Sequence, residues 1–271
     1  MEKFEQALAK ARRDKAEGAT QARLLLEPAP EERPRADHGQ KRVQTEPPIA
    51  LVALDYSNPV ADLFRILRTR TLTALIKIES STLGICSARE GEGKTFVAAN
   101  LAASIGLSEE HSVLLIDLNL RRPGIHEYFQ LSRSPGITDF LGGNVRLSEC
   151  VRTSAVPRLE VVTAGTPIRN SSEALGSSEL AKAFTELIRA LPSRITICDL
   201  PPLLASDDDL IFSSKLGGVL LVVEENRTRP GDIQRSLDLL TSTRVLGTVL
   251  NKSRYGNSFN YPSDAKHSES I

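Results

Sequence analysis

From residue 59 onward the hydrophobic positions fall into two alternating patterns. Short, nearly unbroken apolar runs recur at 83–87, 113–117, 159–163, 194–199, 218–224 and 245–250. Between them lie stretches near 94–106, 137–142, 178–190, 207–214 and 231–242 whose apolar residues return every three or four positions. The first kind predicts strands and the second helices. Runs such as Val-Leu-Leu-Ile at 113–116 and Gly-Val-Leu-Leu-Val-Val at 218–223 show no polar alternation, so both of their faces need cover. Such strands separated by helices predict an α/β fold with a doubly wound, mostly parallel sheet. Ligands in these sheets bind beyond the C-terminal strand ends, where Ser87, Asp117 and Asp199 fall.

A longer helix precedes this core. Pro59 suits a first helical position, and Leu63, Leu67, Ala74 and Leu75 form an apolar stripe through about Ile78. Ahead of it the pattern fades. Residues 2–17 predict a short amphipathic helix with Phe4, Leu8 and Ala11 on one face. Residues 18–57, with prolines at 28, 30, 34, 47 and 48 and abundant charge, predict a flexible linker. A folded domain is expected over 58–251, followed by a flexible polar tail over 252–271.

Charge removes two classes of partner. The 271 residues carry 34 Lys+Arg against 34 Asp+Glu, so no overall field selects nucleic acid or an anionic membrane surface. Trp is absent and aromatics make up 4%, which leaves the core to aliphatic side chains. No run approaches the roughly 18 apolar residues that span a bilayer, and Met-Glu-Lys-Phe-Glu lacks the apolar stretch of a signal peptide. A cytoplasmic location is expected. Cys86, Cys150 and Cys198 lack metal-ligand spacing and read as buried, reduced thiols. His111 and His126 lack it too, and read as structural.

The first predicted strand runs into Ala-Arg-Glu-Gly-Glu-Gly-Lys-Thr at 88–95, and a helical pattern follows at once. This is the layout of a phosphate-binding loop. Glycines at 91 and 93 let the chain curl so that successive N–H groups converge on one anion, and the helix N-terminus points its positive end at the same place. Glu90, Gly91, Glu92, Gly93, Lys94, Thr95 and Phe96 are the expected nucleotide-contacting segment, with Lys94 reaching the β- and γ-phosphates and the Thr95 hydroxyl on Mg²⁺. The strict pattern begins with Gly, where this chain has Ala88. Asp117 and Asp199, each closing an apolar strand, complete a metal and nucleotide site.

The segments Asp117-Leu-Asn-Leu-Arg121-Arg122-Pro123-Gly-Ile-His126, Pro135-Gly-Ile-Thr-Asp139, Asp199-Leu-Pro-Pro202, Asp208 and Gly247-Thr-Val-Leu-Asn251 occur in this order. Together with the loop they resemble the bacterial tyrosine kinases of capsule and exopolysaccharide assembly, P-loop proteins of the MinD/ParA-like kind. The resemblance covers about 58–251 and implies ATP and Mg²⁺ as cofactors. It also implies transfer of the γ-phosphoryl group to tyrosine hydroxyls, often on the C-terminal tail of a neighbouring subunit. Lys94, Asp117 and Asp199 are then the catalytic residues, Thr95, Asp117 and Asp199 the metal site, and Asp117 the expected base. Arg121 takes the family's arginine position and Asn251 the place where related ATPases contact adenine. Tyr255 and Tyr261 become the expected acceptors. Asp62, Arg65 and Arg68 resemble a Glu-x-x-Arg-x-x-Arg oligomerisation segment with Asp for Glu. An integral-membrane polysaccharide chain-length or co-polymerase protein is the implied partner, and it would recruit this chain to the membrane's inner face.

Three departures keep alternatives open. Asn119 stands where a second aspartate is usual, Glu90 where proline is common, and the tail holds two tyrosines rather than a dense cluster. A nucleotide-gated assembly factor without kinase activity therefore stays in view. So does a positioning ATPase of the ParA or MinD kind, although residues 88–92 lack the early lysine common in those relatives.

Overall fold

The computed structural model describes residues 51–190, 194–205 and 212–253. The helix expected over 2–17, most of the one expected near 207–214, and Tyr255 and Tyr261 lie outside the described residues.

Strands β1 (Thr82–Ser87), β2 (Val113–Asp117), β3 (Val151–Thr153), β4 (Leu159–Val162), β5 (Ile195–Asp199), β6 (Gly218–Glu224) and β7 (Val245–Asn251) form one sheet in the order β3-β4-β2-β5-β1-β6-β7. Every pairing is parallel except that of β3 with β4. The antiparallel β3 was not expected: three residues at an edge are too few to show a period. It is fixed in place by Arg152, whose guanidinium donates to the Pro135 carbonyl and the Thr163 hydroxyl, each at 2.7 Å.

Alternate residues of the central strands feed two separate cores, which explains the absence of polar alternation. Ile85, Val113, Leu115 and Ile197 pack on one face with helices α1 (Pro59–Lys77) and α2 (Lys94–Gly106). Cys86, Leu114, Ile116 and Cys198 pack on the other, against Leu180, Phe184 and Leu187 of helix α7 (Ser178–Ala190). Both faces exclude water, so each inward aliphatic side chain contributes about 1.5–3 kcal/mol. All three cysteines are free and buried. Short helices α3 (Ile125–Tyr128), α4 (Ile137–Leu141), α5 (Leu147–Cys150) and α6 (Ser171–Gly176) decorate the connections. Of these only α4 was expected, since one turn of helix carries no readable period. Helix α8 (Pro230–Leu239) joins β6 to β7.

The expected linker boundary needs correction. Residues 51–57 belong to the folded body: Leu51 and Ala53 are buried, Val52–Leu54 form a 3-10 turn, and the Ala53 N–H donates to Asn100 Oδ1 of α2 at 2.9 Å. Leu-Val-Ala-Leu at 51–54 is apolar, but it follows a proline-rich, charged stretch whose composition masks it. Helix α1 then starts as the sequence predicts, with Pro59 in its first turn and Asn58 capping the Val60 N–H at 2.9 Å.

Among the described residues no helix is long and apolar enough to cross a membrane.

Candidate phosphate and metal site

The loop between β1 and α2 takes the curl its glycines allow. Gly91 and Gly93 have φ of +81° and +91°, in the left-handed region, and a Cβ on Gly93 would stand 2.0 Å from Asn251 Nδ2. Ala88 is absent from the non-glycine residues with positive φ, so its methyl costs nothing there, and it is buried. Gly93 caps α2 without any side-chain hydrogen bond, and the first turn of α2 contains no acid. The first N–H groups of α2 thus face the loop's concavity as anion donors.

Three side chains converge beneath that loop. Asp199 Oδ2 accepts from the Thr95 hydroxyl at 2.7 Å, and Asp199 Oδ1 from Lys94 Nζ at 3.4 Å, in surroundings where Lys94 is 7% and Asp199 0% exposed. Asp117 lies level with Asp199 on the adjacent strand. Its Oδ2 accepts from the Gly124 and Ile125 N–H groups, both at 3.0 Å, and its Oδ1 from the Asn119 N–H at 3.1 Å. Burial, and next the Asp199 charge, push the Asp117 carboxyl well above the usual carboxylate range. Burial also raises Asp199, against the pull of Lys94 and Thr95. Two buried acids side by side favour positive charge between them.

The residues present fit a magnesium nucleotide. No described group of three or more His, Cys, Asp or Glu could hold a metal by itself. Two carboxylates and one hydroxyl suit Mg²⁺, which keeps much of its shell as water and phosphate oxygen.

Other expected site residues serve the loop rather than the concavity. Asn251 Nδ2 donates to the Glu92 carbonyl at 2.9 Å. Glu92 is buried, where it accepts from the Arg89 N–H at 2.9 Å and the Thr228 hydroxyl at 2.5 Å. Its side chain therefore does not face a nucleotide. Glu90 pairs with Arg122, and Arg121 Nε donates to Ser171 Oγ at 2.6 Å. Phe96 turns its ring to Phe64 of α1, edge to face at 5.7 Å, so only its main chain is near the loop. Asn119 donates to the Arg122 carbonyl at 2.8 Å, a bond that a carboxylate could not make.

Two anchors escaped the sequence reading. Arg89 grips Asp232 of α8 through Nε at 2.8 Å and a terminal nitrogen at 3.0 Å, and Lys252 Nζ donates to the Gly91 carbonyl at 2.7 Å. Arg89 and Arg235 hold the Asp232 carboxyl far below its usual range. These contacts join positions more than a hundred residues apart, and no local pattern announces them. The Arg89 guanidinium is thus committed to α8.

Asp62, Arg65 and Arg68 lie on α1. Arg65 pairs with Asp62 within the helix, while Arg68 donates to the Ser104 carbonyl at 2.8 Å near the end of α2.

No family model matches the chain. Individual relatives do. The tyrosine-protein kinase YwqD of Bacillus subtilis is 30% identical over 208 residues, covering 76% of this chain and 83% of its own length. The tyrosine-protein kinase ptk of Acinetobacter johnsonii is 31% identical over 75% of this chain, but the chain spans only 28% of that longer relative. Among solved structures, the kinase domain of the Escherichia coli tyrosine kinase ETK superposes with a TM-score of 0.70 and 28% identity, covering 78% of this chain and 84% of that one. The Pyrococcus furiosus cell division ATPase MinD, at 19% identity and a TM-score of 0.53, shares the fold alone. With the curled loop, the lysine and threonine, and the paired strand-end acids all in place, the chain belongs to the bacterial tyrosine kinase family.

Proposed function

We propose that this chain is an ATP-dependent protein-tyrosine kinase that acts in polysaccharide polymerisation or export. The observation that carries the proposal is the convergence of Lys94, Thr95, Asp117 and Asp199 beneath the open N-terminus of α2. Lys94 and the main chain of 91–95 bind and orient the β- and γ-phosphates of ATP. Thr95, Asp117 and Asp199 would hold Mg²⁺, which when bound would supply positive charge to the transferring phosphoryl group. Asp117 is the acceptor for the tyrosine proton: its raised proton affinity suits it to that task better than an ordinary surface carboxylate. Because phosphoryl transfer depends mainly on positioning and charge, this set suffices.

Tyr255 and Tyr261 in the tail are the first acceptors proposed, and assembly through Asp62, Arg65 and Arg68 brings one subunit's tail to another's site. An integral-membrane chain-length protein completes the reading as partner and recruiter. The names of the relatives support the kinase assignment. Because the chain spans under a third of some of them, the activity, substrates and partners of the whole protein rest on this proposal.

A second reading, an ATP-gated assembly factor that does not phosphorylate tyrosine, draws on Asn119, whose amide is spent on the Arg122 carbonyl. Incubation with ATP and Mg²⁺ and a peptide of the membrane partner's cytoplasmic tail, followed by phosphotyrosine mass spectrometry, separates the two. Phosphotyrosine that disappears in Lys94→Met supports the kinase. Saturable ATP binding without phosphotyrosine supports the assembly factor.

A further inference from the structure

The chain has four tyrosines, of which Tyr56 and Tyr128 are described. Their settings differ sharply. Tyr128 is half-buried against the core shared by α1 and α2. Tyr56 is 73% exposed at the tip of a tight turn, closed by the Asn58 N–H donating to the Asp55 carbonyl at 3.0 Å and stiffened by the Asp55 carboxylate accepting from the Ser57 N–H at 3.0 Å. The Arg65 guanidinium carbon lies 5.4 Å from the centre of its ring. Arg65 pairs with Asp62 through a solvent-exposed contact of the kind that contributes little.

We propose that Tyr56 is a phosphorylation site of this kinase, modified by a second copy of the chain, and that the phosphate is captured by Arg65. This rests on the kinase reading above. In the step, the Tyr56 hydroxyl oxygen forms a bond to the γ-phosphorus of ATP, the bond from that phosphorus to the β,γ-bridging oxygen breaks, ADP leaves, and the phenolic proton passes to the carboxylate base. The turn cannot be lent out like a tail, because the Ala53 main chain is tied to Asn100, six residues along α2 from Lys94 or about 9 Å. A second copy's site is therefore the donor. The phosphate adds nearly two negative charges within reach of a guanidinium whose other partner is a single carboxylate, so Arg65 leaves Asp62 for the stronger, bidentate acceptor. Asp62 and Arg65 belong to the segment proposed for self-association, so modification of Tyr56 rewrites the charge pattern of that surface.

The test mixes unlabelled wild type, as enzyme, with ¹⁵N-labelled Lys94→Met chain, as acceptor, in ATP, Mg²⁺ and the peptide of the membrane partner's cytoplasmic tail, and maps phosphotyrosine on both chains by mass spectrometry. The expected result is phosphate on heavy Tyr56. Phosphate confined to Tyr255 and Tyr261 overturns the proposal and leaves the kinase reading intact, whereas no phosphotyrosine on either chain overturns both. A second acceptor, also carrying Arg65→Gln, tests the capture. An added phosphatase should strip its Tyr56 phosphate about fivefold faster, a typical loss for one exposed charge pair. Equal rates would overturn the role of Arg65.

Discussion

At the residue scale the site is a balance between two buried carboxylates and one buried ammonium. Burial and the Asp199 charge raise Asp117, and burial raises Asp199, so both carboxyls take up a proton more readily than isolated ones. On the proposed function, magnesium nucleotide would displace such a proton. Binding should therefore release protons, and affinity should fall as the pH drops through the raised values, because protonation competes with the metal. Calorimetric titration in buffers of different ionisation enthalpy measures the release. Asp117→Asn should reduce it, and undiminished release would show that another group supplies the proton. Gly93 carries a steric prediction. Gly93→Ala places a side chain at φ +91° and against Asn251, so it should cost about 1–2 kcal/mol for the backbone and roughly another 1 kcal/mol for the displaced Asn251 bond. Denaturant unfolding reads that loss. Ala88→Gly should leave loop geometry and nucleotide affinity essentially unchanged.

At the element scale, how much could be read from the sequence depended on length and locality. Strands β1, β2 and β4 to β7 were legible because each is a short, mostly apolar run, and α1, α2, α7 and α8 because each spans two turns or more. The three-residue β3 and the short helices α3, α5 and α6 carry too little pattern. The phosphate loop was legible as a contiguous motif, and so were the two acids that close β2 and β5. Its outer anchors, Asp232, Thr228 and Lys252, were not, because they reach the loop by tertiary contact. The first folded residues were missed for another reason: four apolar positions at 51–54 were averaged into a polar stretch. Asn100 ties that segment down, which gives a prediction. Asn100→Ala leaves the Ala53 N–H without its buried acceptor, should cost about 1–3 kcal/mol, and should accelerate hydrogen exchange at Ala53 far more than in β1. Uniform acceleration throughout the domain would instead mean that 51–54 unfold only with the rest.

At the scale of the whole molecule, α1 has two roles that Asp62, Arg65 and Arg68 divide between them. Arg68 caps the end of α2 and belongs to the fold, whereas Asp62 and Arg65 pair with each other on an exposed face. Combined Asp62→Ala and Arg65→Ala should shift the sedimentation profile toward smaller species while changing stability by no more than about 0.5 kcal/mol. Arg68→Ala should lower stability by about 1 kcal/mol whatever it does to assembly. An unchanged profile in the double variant would remove these residues from the interface. The whole account converges on the pocket under the α2 N-terminus, and one titration reaches it directly: ATP added to the full chain in a calorimeter, with and without Mg²⁺. Saturable binding that strengthens with Mg²⁺ and falls at least about tenfold in Lys94→Met is the predicted result. Heat no greater than that of dilution in both conditions, from protein that is demonstrably folded, would contradict it.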